Sequence, residues 1–175
     1  MSVAVLTQSL QALQRIVHLL GMRHEGREIR QRARPSDEIE RRYGVLCQLP
    51  KPGSYVAPVM IGDTSRGLFG ADAVEAVTEE LHVLLAAIKN QDGNRLREVL
   101  PDPSYRVAIL EAFRKMTPPK RAGIEVALQS NAGEDLFVPS QVASFLDHSV
   151  NRHGGDFTVT AVTGRLSGIE FDRRR

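Results

Sequence analysis

The sequence predicts an α+β fold, with an antiparallel sheet and amphipathic helices packed on one face, as one domain over residues 1–175. Three observations lead there. Apolar residues recur at helical spacing in four stretches. Turn-bounded runs with strand character separate them. The composition, 42% apolar and 25% charged, is that of a globular chain, and at this length folding buries roughly 70% of the surface an unfolded chain exposes.

In the first stretch Val3, Leu6, Leu10, Leu13, Val17 and Leu20 alternate in steps of three and four, which predicts a helix over 3–21 with Gly21 as its end. The seam is as narrow as a coiled-coil a/d stripe until Ile16 and Leu19 widen it. Leu6, Leu10, Leu13 and Val17 are therefore candidates for pairing with a second copy of the chain, a dimer. Residues 22–42 follow as a polar connector with partial helix. Its seven arginines are interleaved with Glu25, Glu28, Asp37, Glu38 and Glu40, and it is the expected mobile segment.

Lys51-Pro52-Gly53 is turn chemistry, because proline presets φ and glycine accepts positive φ, so 43–49 and 54–61 should form a hairpin. Pro58 lacks a ladder donor and places its strand at an edge or a bulge. Cys47 alternates with Val45 and Leu49 and is expected to point into the core. A helix over 73–89 then buries Val74, Val77, Leu81, Leu84, Leu85 and Ile88, with Asp72 and Glu75 as a capping pair. Arg95 to Leu100 suggests a short turn of helix. Asp102 and Pro103 supply an N-cap and first-turn proline for a helix to Met116 with an apolar face of Val107, Leu110 and Phe113.

At Pro118-Pro119 the helical half stops, a natural point for a subdivision near 118. Beyond it, 124–128 and 136–138 flank the turn-prone Ser130 to Gly133, a second hairpin. Ser140 is placed to cap a helix through Val142, Phe145, Leu146 and Val150. Phe157 to Thr163 reads as a strand, and Gly168 to Asp172 as another that runs into Arg173-Arg174-Arg175 where a return strand would begin. The expectation drawn from that is a chain that is a fragment of a longer protein.

No catalytic residue emerges. Gly62 and Gly67 have the spacing of the phosphate-binding G-x-x-x-x-G-K-S/T loop between a strand and a helix, but Leu68 and Phe69 stand where the lysine and hydroxyl belong, so no nucleotide hydrolysis follows. What remains is a candidate anion contact by Thr64, Ser65 and Arg66 near a helix N-terminus, opposed by Asp63 and Asp72. His153 to Phe157 resembles the Gly-Gly-Asp-Glu-Phe signature of diguanylate cyclases over five residues only. Phe157 replaces its second acid and the upstream aspartate-rich motif is missing, so the segment reads as a glycine turn entering a strand. Neither Ser65 nor Ser167 fits a nucleophile elbow, and His148 and His153 lack the i, i+4 spacing of zinc ligands. No metal or cofactor is expected.

A net charge of +2 does not demand a polyanionic partner. Few aromatics and no tryptophan argue against stacking platforms for bases or sugars. One cysteine excludes an internal disulfide, no signal peptide opens the chain, and no run approaches a membrane span, so a cytoplasmic location without membrane contact is expected. The leading functional expectation is a non-enzymatic protein-interaction or regulatory module, its partner another protein or a second copy. The alternative is a nucleic-acid-binding protein using Arg27, Arg30, Arg34, Arg173 and Arg174, and the third option is an enzyme of undetected class.

Overall fold

The computed structural model describes residues 3–29, 34–48, 56–62, 71–118, 125–129 and 136–154. Its elements run α1 (Val3–His24), α2 (Asp37–Arg42), β1 (Gly44–Cys47), β2 (Val59–Gly62), α3 (Ala71–Lys89), α4 (Gly93–Val99), α5 (Pro103–Lys115), β3 (Leu128–Gln129) and β4 (Leu136–Phe137). A single 3-10 turn (Pro139–Val142) then leads into α6 (Ala143–Gly154). The class is α+β with helices predominating. Its described strands fall into two separate two-stranded antiparallel ladders, β1 with β2 and β3 with β4.

α1 is the central element, packed against α5, α3, β1 and α2, while α6 packs on the far side of α5. This placement explains why the α1 stripe broadens along its length. Leu13, Ile16, Val17, Leu19 and Leu20 are all buried, because neighbours cover the C-terminal half of the helix on nearly every side. α3 contributes Val77, Leu81, Leu84 and Ile88 to the same core. On α5 the buried face is Ile109, Leu110, Ala112 and Phe113, and Val107, expected inside, is only half-buried. Phe113 meets Phe137 edge-on, with ring centroids 5.7 Å apart, and so pins β4 to α5.

Gly21 does not end α1. An added Cβ there would lie 2.7 Å from Cγ and Cε2 of Tyr43, so this glycine exists to let the Tyr43 ring sit against the helix backbone. The helix ends at Gly26, whose φ of +67° is the left-handed conformation glycine adopts without penalty. Gly26 N donates to Arg23 O and Arg27 N to Met22 O, which satisfies the last carbonyls in a Schellman motif. α3 ends the same way, with Gln91 at φ +54° in the glycine position.

Residues 22–42, expected as a mobile connector, are tied down where described. Met22 is buried within α1. Tyr105 Oη donates to Arg27 O at 2.5 Å, joining α5 to the segment after α1. Glu25, Arg27, Glu38 and Arg42 close a ring of ion pairs at 2.7–3.2 Å. Each such exposed pair contributes about 0–1 kcal/mol, but together they fix the entry to α2, where Ser36 caps by accepting from Ile39 N.

Asp102 caps α5 as expected, accepting from Ser104 N and Tyr105 N, and Asp92 does the same for α4. Buried Arg106 turns its Nη1 onto the carbonyls of Leu100 and Pro101 at 2.6 and 3.2 Å, satisfying the C-terminal end of α4. Ser140 does not cap α6; the helix starts at Ala143 and the Ser140 hydroxyl donates instead to Glu125 Oε1 at 2.9 Å. Asp72 sits inside the first turn of α3 rather than at its cap. The expected strands at 157–163 and 168–172 and the turn at 130–133 lie outside the described residues.

Candidate functional site

The β1–β2 ladder is where sequence and packing leave most undone. Its register pairs Gly44 with Gly62, Val45 with Ile61, Leu46 with Met60 and Cys47 with Val59. Gln48 N donates to Pro58 O at 2.9 Å, but proline has no N–H to return, so the pairing closes on a single bond. Alternation puts Val45 and Ile61 on the inner face, where both pack against the core, and Leu46 and Met60 on the outer face. Neither strand carries a charged residue. Leu46, Val59 and Met60 are 37, 38 and 51% exposed, and nearby Val56 is 68% exposed.

Cys47 is exposed, contrary to the expectation of a core position. It does share a face with Val45, which packs against the core, yet Cys47 itself is exposed. Alternation alone fixes which face a side chain takes, not whether anything stands opposite.

Among the described residues, the Gln14 side chain hydrogen-bonds this ladder to the helical body. Gln14 on α1 accepts from Val45 N at 2.8 Å and donates to Tyr43 O at 3.0 Å, so its carboxamide fills the outer edge of β1 as a neighbouring strand would. In the same antiparallel pattern the Cys47 amide also faces away from β2, one step beyond the reach of Gln14. Gln14 Nε2 makes a third contact, 2.5 Å to His18 Nε2. With one amide hydrogen on Tyr43 O, the other points at His18, which must then be neutral with Nε2 as acceptor. Burial pushes the His18 pKa below its ordinary value; Glu40 opposes this and Arg15 adds to it. Burial, with nearby Glu25, also raises the Tyr43 hydroxyl and keeps it protonated.

A second feature is an open groove of about 520 Å³ between α1 and α5, floored by Ala12, Ala108 and Ala112 and walled by Gln11, Arg15 and Glu111. Gln8 Nε2 closes one end by donating to Lys115 O at 2.7 Å. The groove has no hydroxyl, thiol or imidazole in its lining, and its ionisable side chains are Arg15, Glu111 and Lys115. Among the described residues no three His, Cys, Asp or Glu side chains converge as metal ligands would. Nor is any described helix long and apolar enough to cross a membrane.

The residues singled out from sequence do not gather at either place. Leu13 and Val17, candidates for pairing between copies, are buried in the core of their own chain, while Leu6 and Leu10 are half-buried nearer the start of α1. Arg27 is engaged by Glu25, Glu38 and Ser36, whereas Arg34 is exposed. Thr64, Ser65, Arg66, Arg30, Arg173 and Arg174 lie outside the described residues. Sequence reasoning missed Gln14 and His18 because an amphipathic pattern weights only apolar positions. Their i, i+4 spacing on the helix was the available signal.

Comparison with known proteins adds no relative: no family model matches the chain, and no similar curated protein or solved structure was found.

Proposed function

We propose that the protein is a non-enzymatic protein-interaction module that self-associates through the outer face of the β1–β2 ladder and the stretch of the β1 edge past Gln14, at Cys47. The observation that carries this reading is a ladder apolar on both faces, with the inner face covered at Val45 and Ile61 and Leu46 and Met60 exposed on the outer face. Strands with that composition are ordinarily buried on both sides. Monomeric proteins guard an exposed edge with charge, and the described parts of these strands carry none. An uncharged antiparallel edge is also self-complementary about a two-fold axis, which makes a second copy the natural occupant.

Sedimentation velocity over a micromolar-to-millimolar concentration series tests this. The wild type should shift from monomer to dimer, and Leu46→Lys combined with Met60→Lys should stay monomeric with an unchanged circular dichroism spectrum. A wild type that remains monomeric throughout, or a dimer indifferent to both lysines, contradicts the reading.

A further inference from the structure

The Gln14 contacts that tie the β1–β2 ladder to α1 end on the imidazole of His18. We infer that protonation of His18 releases the β1–β2 ladder from α1, so that the surface is held at neutral pH and loosened in acid; the regulatory meaning of this rests on the ladder being the docking surface. The geometry carries the argument. The Gln14 carboxamide satisfies three partners in one orientation only: its oxygen faces Val45 N, and its two hydrogens face Tyr43 O and His18 Nε2. A proton on His18 Nε2 sets donor against donor at 2.5 Å. Flipping the amide to offer His18 its oxygen would turn the nitrogen onto the Val45 amide, again donor against donor, and leave Tyr43 O without a hydrogen. With the flip the Val45 N bond between α1 and β1 is lost; without it the clash lies between Gln14 and His18 within α1, and the carboxamide relieves it by withdrawing from Val45 N and Tyr43 O, which leaves those groups without a partner.

His18 is buried, so a charge there has little water to stabilise it. The charges that act on it are Glu40 from α2, which favours protonation, and Arg15 one turn back on α1, which opposes it. β1 brings no charged side chain, and no charge on α3 or α5 contributes. The direction follows from linkage. A histidine whose pKa is lowered in the closed joint binds more protons when open, so the closed joint keeps full stability above 6.5 and loses it as pH falls from there towards the lowered value.

Amide hydrogen exchange on the full chain, corrected for the intrinsic effect of pH, tests the latch. Protection of the Val45 amide should fall about tenfold per pH unit below 6.5, while Ile109 in α5 stays protected. His18→Gln keeps an acceptor near the Nε2 position and takes no proton, so its Val45 protection should be independent of pH. Nitrogen NMR of the wild-type imidazole supplies an independent reading if that variant fails to fold: neutral His18 should carry its hydrogen on Nδ1. Val45 protection that ignores pH, or a neutral His18 protonated on Nε2, overturns the latch. Sedimentation reports separately on docking, since a monomeric wild type with pH-dependent Val45 exchange would sink the docking surface and leave the latch standing.

Discussion

The stretch of α1 from Ile16 to Leu20 and the β1–β2 ladder are built from the same kinds of residue and meet opposite fates. Ile16, Val17, Leu19 and Leu20 are fully buried, whereas Leu46 and Met60 stand substantially in water. What separates them is packing: among the described elements α1 lies against α2, α3, α5 and β1, while the ladder packs chiefly against α1 and α3. Apolar composition thus records how much surface a segment needs to bury, and packing decides how much of that need is met within one chain. The unmet remainder, on Leu46, Val59 and Met60, is the ground for reading the ladder as an interface.

Mutations on the two sides of this contrast should differ in size. Phe113→Ala, which opens a cavity in the core and removes the Phe137 contact, should cost about 3–5 kcal/mol in urea unfolding. Gly21→Ala follows, at about 1–3 kcal/mol, because the new methyl meets the Tyr43 ring and the gain in helix propensity is smaller. Gln91→Gly should raise stability by up to about 1 kcal/mol by relieving its left-handed backbone. Met60→Ser should change monomer stability by less than about 0.5 kcal/mol. A loss at Met60 comparable to that at Phe113 would show that the outer face is covered within the chain and would erase the contrast.

Much of the helical body was legible from residues. The Asp102-Pro103 start of α5, the buried face of α3 and the antiparallel pairings of β1 with β2 and β3 with β4 agree with capping, periodicity and strand patterning, each of which acts within a few residues. What was not legible depends on contacts distant in sequence. Gly21 looks like a stop signal until Tyr43, far along the chain, is placed on it, and Cys47 looks interior by alternation yet is exposed in the fold. The candidate surface was hidden for the same reason. A strand exposed on one face and a strand covered on both have the same composition, and Gln14 becomes informative only once β1 lies beside it.

The most direct test of the ladder as an interface follows amide exchange at Cys47 as protein concentration rises. Its N–H faces away from β2 just past the edge that Gln14 fills, so pairing with a second copy should slow its exchange at high concentration while Ile109 in α5 keeps one rate throughout. Exchange at Cys47 that is equally fast in dilute and concentrated samples, with association seen elsewhere or not at all, would contradict the account.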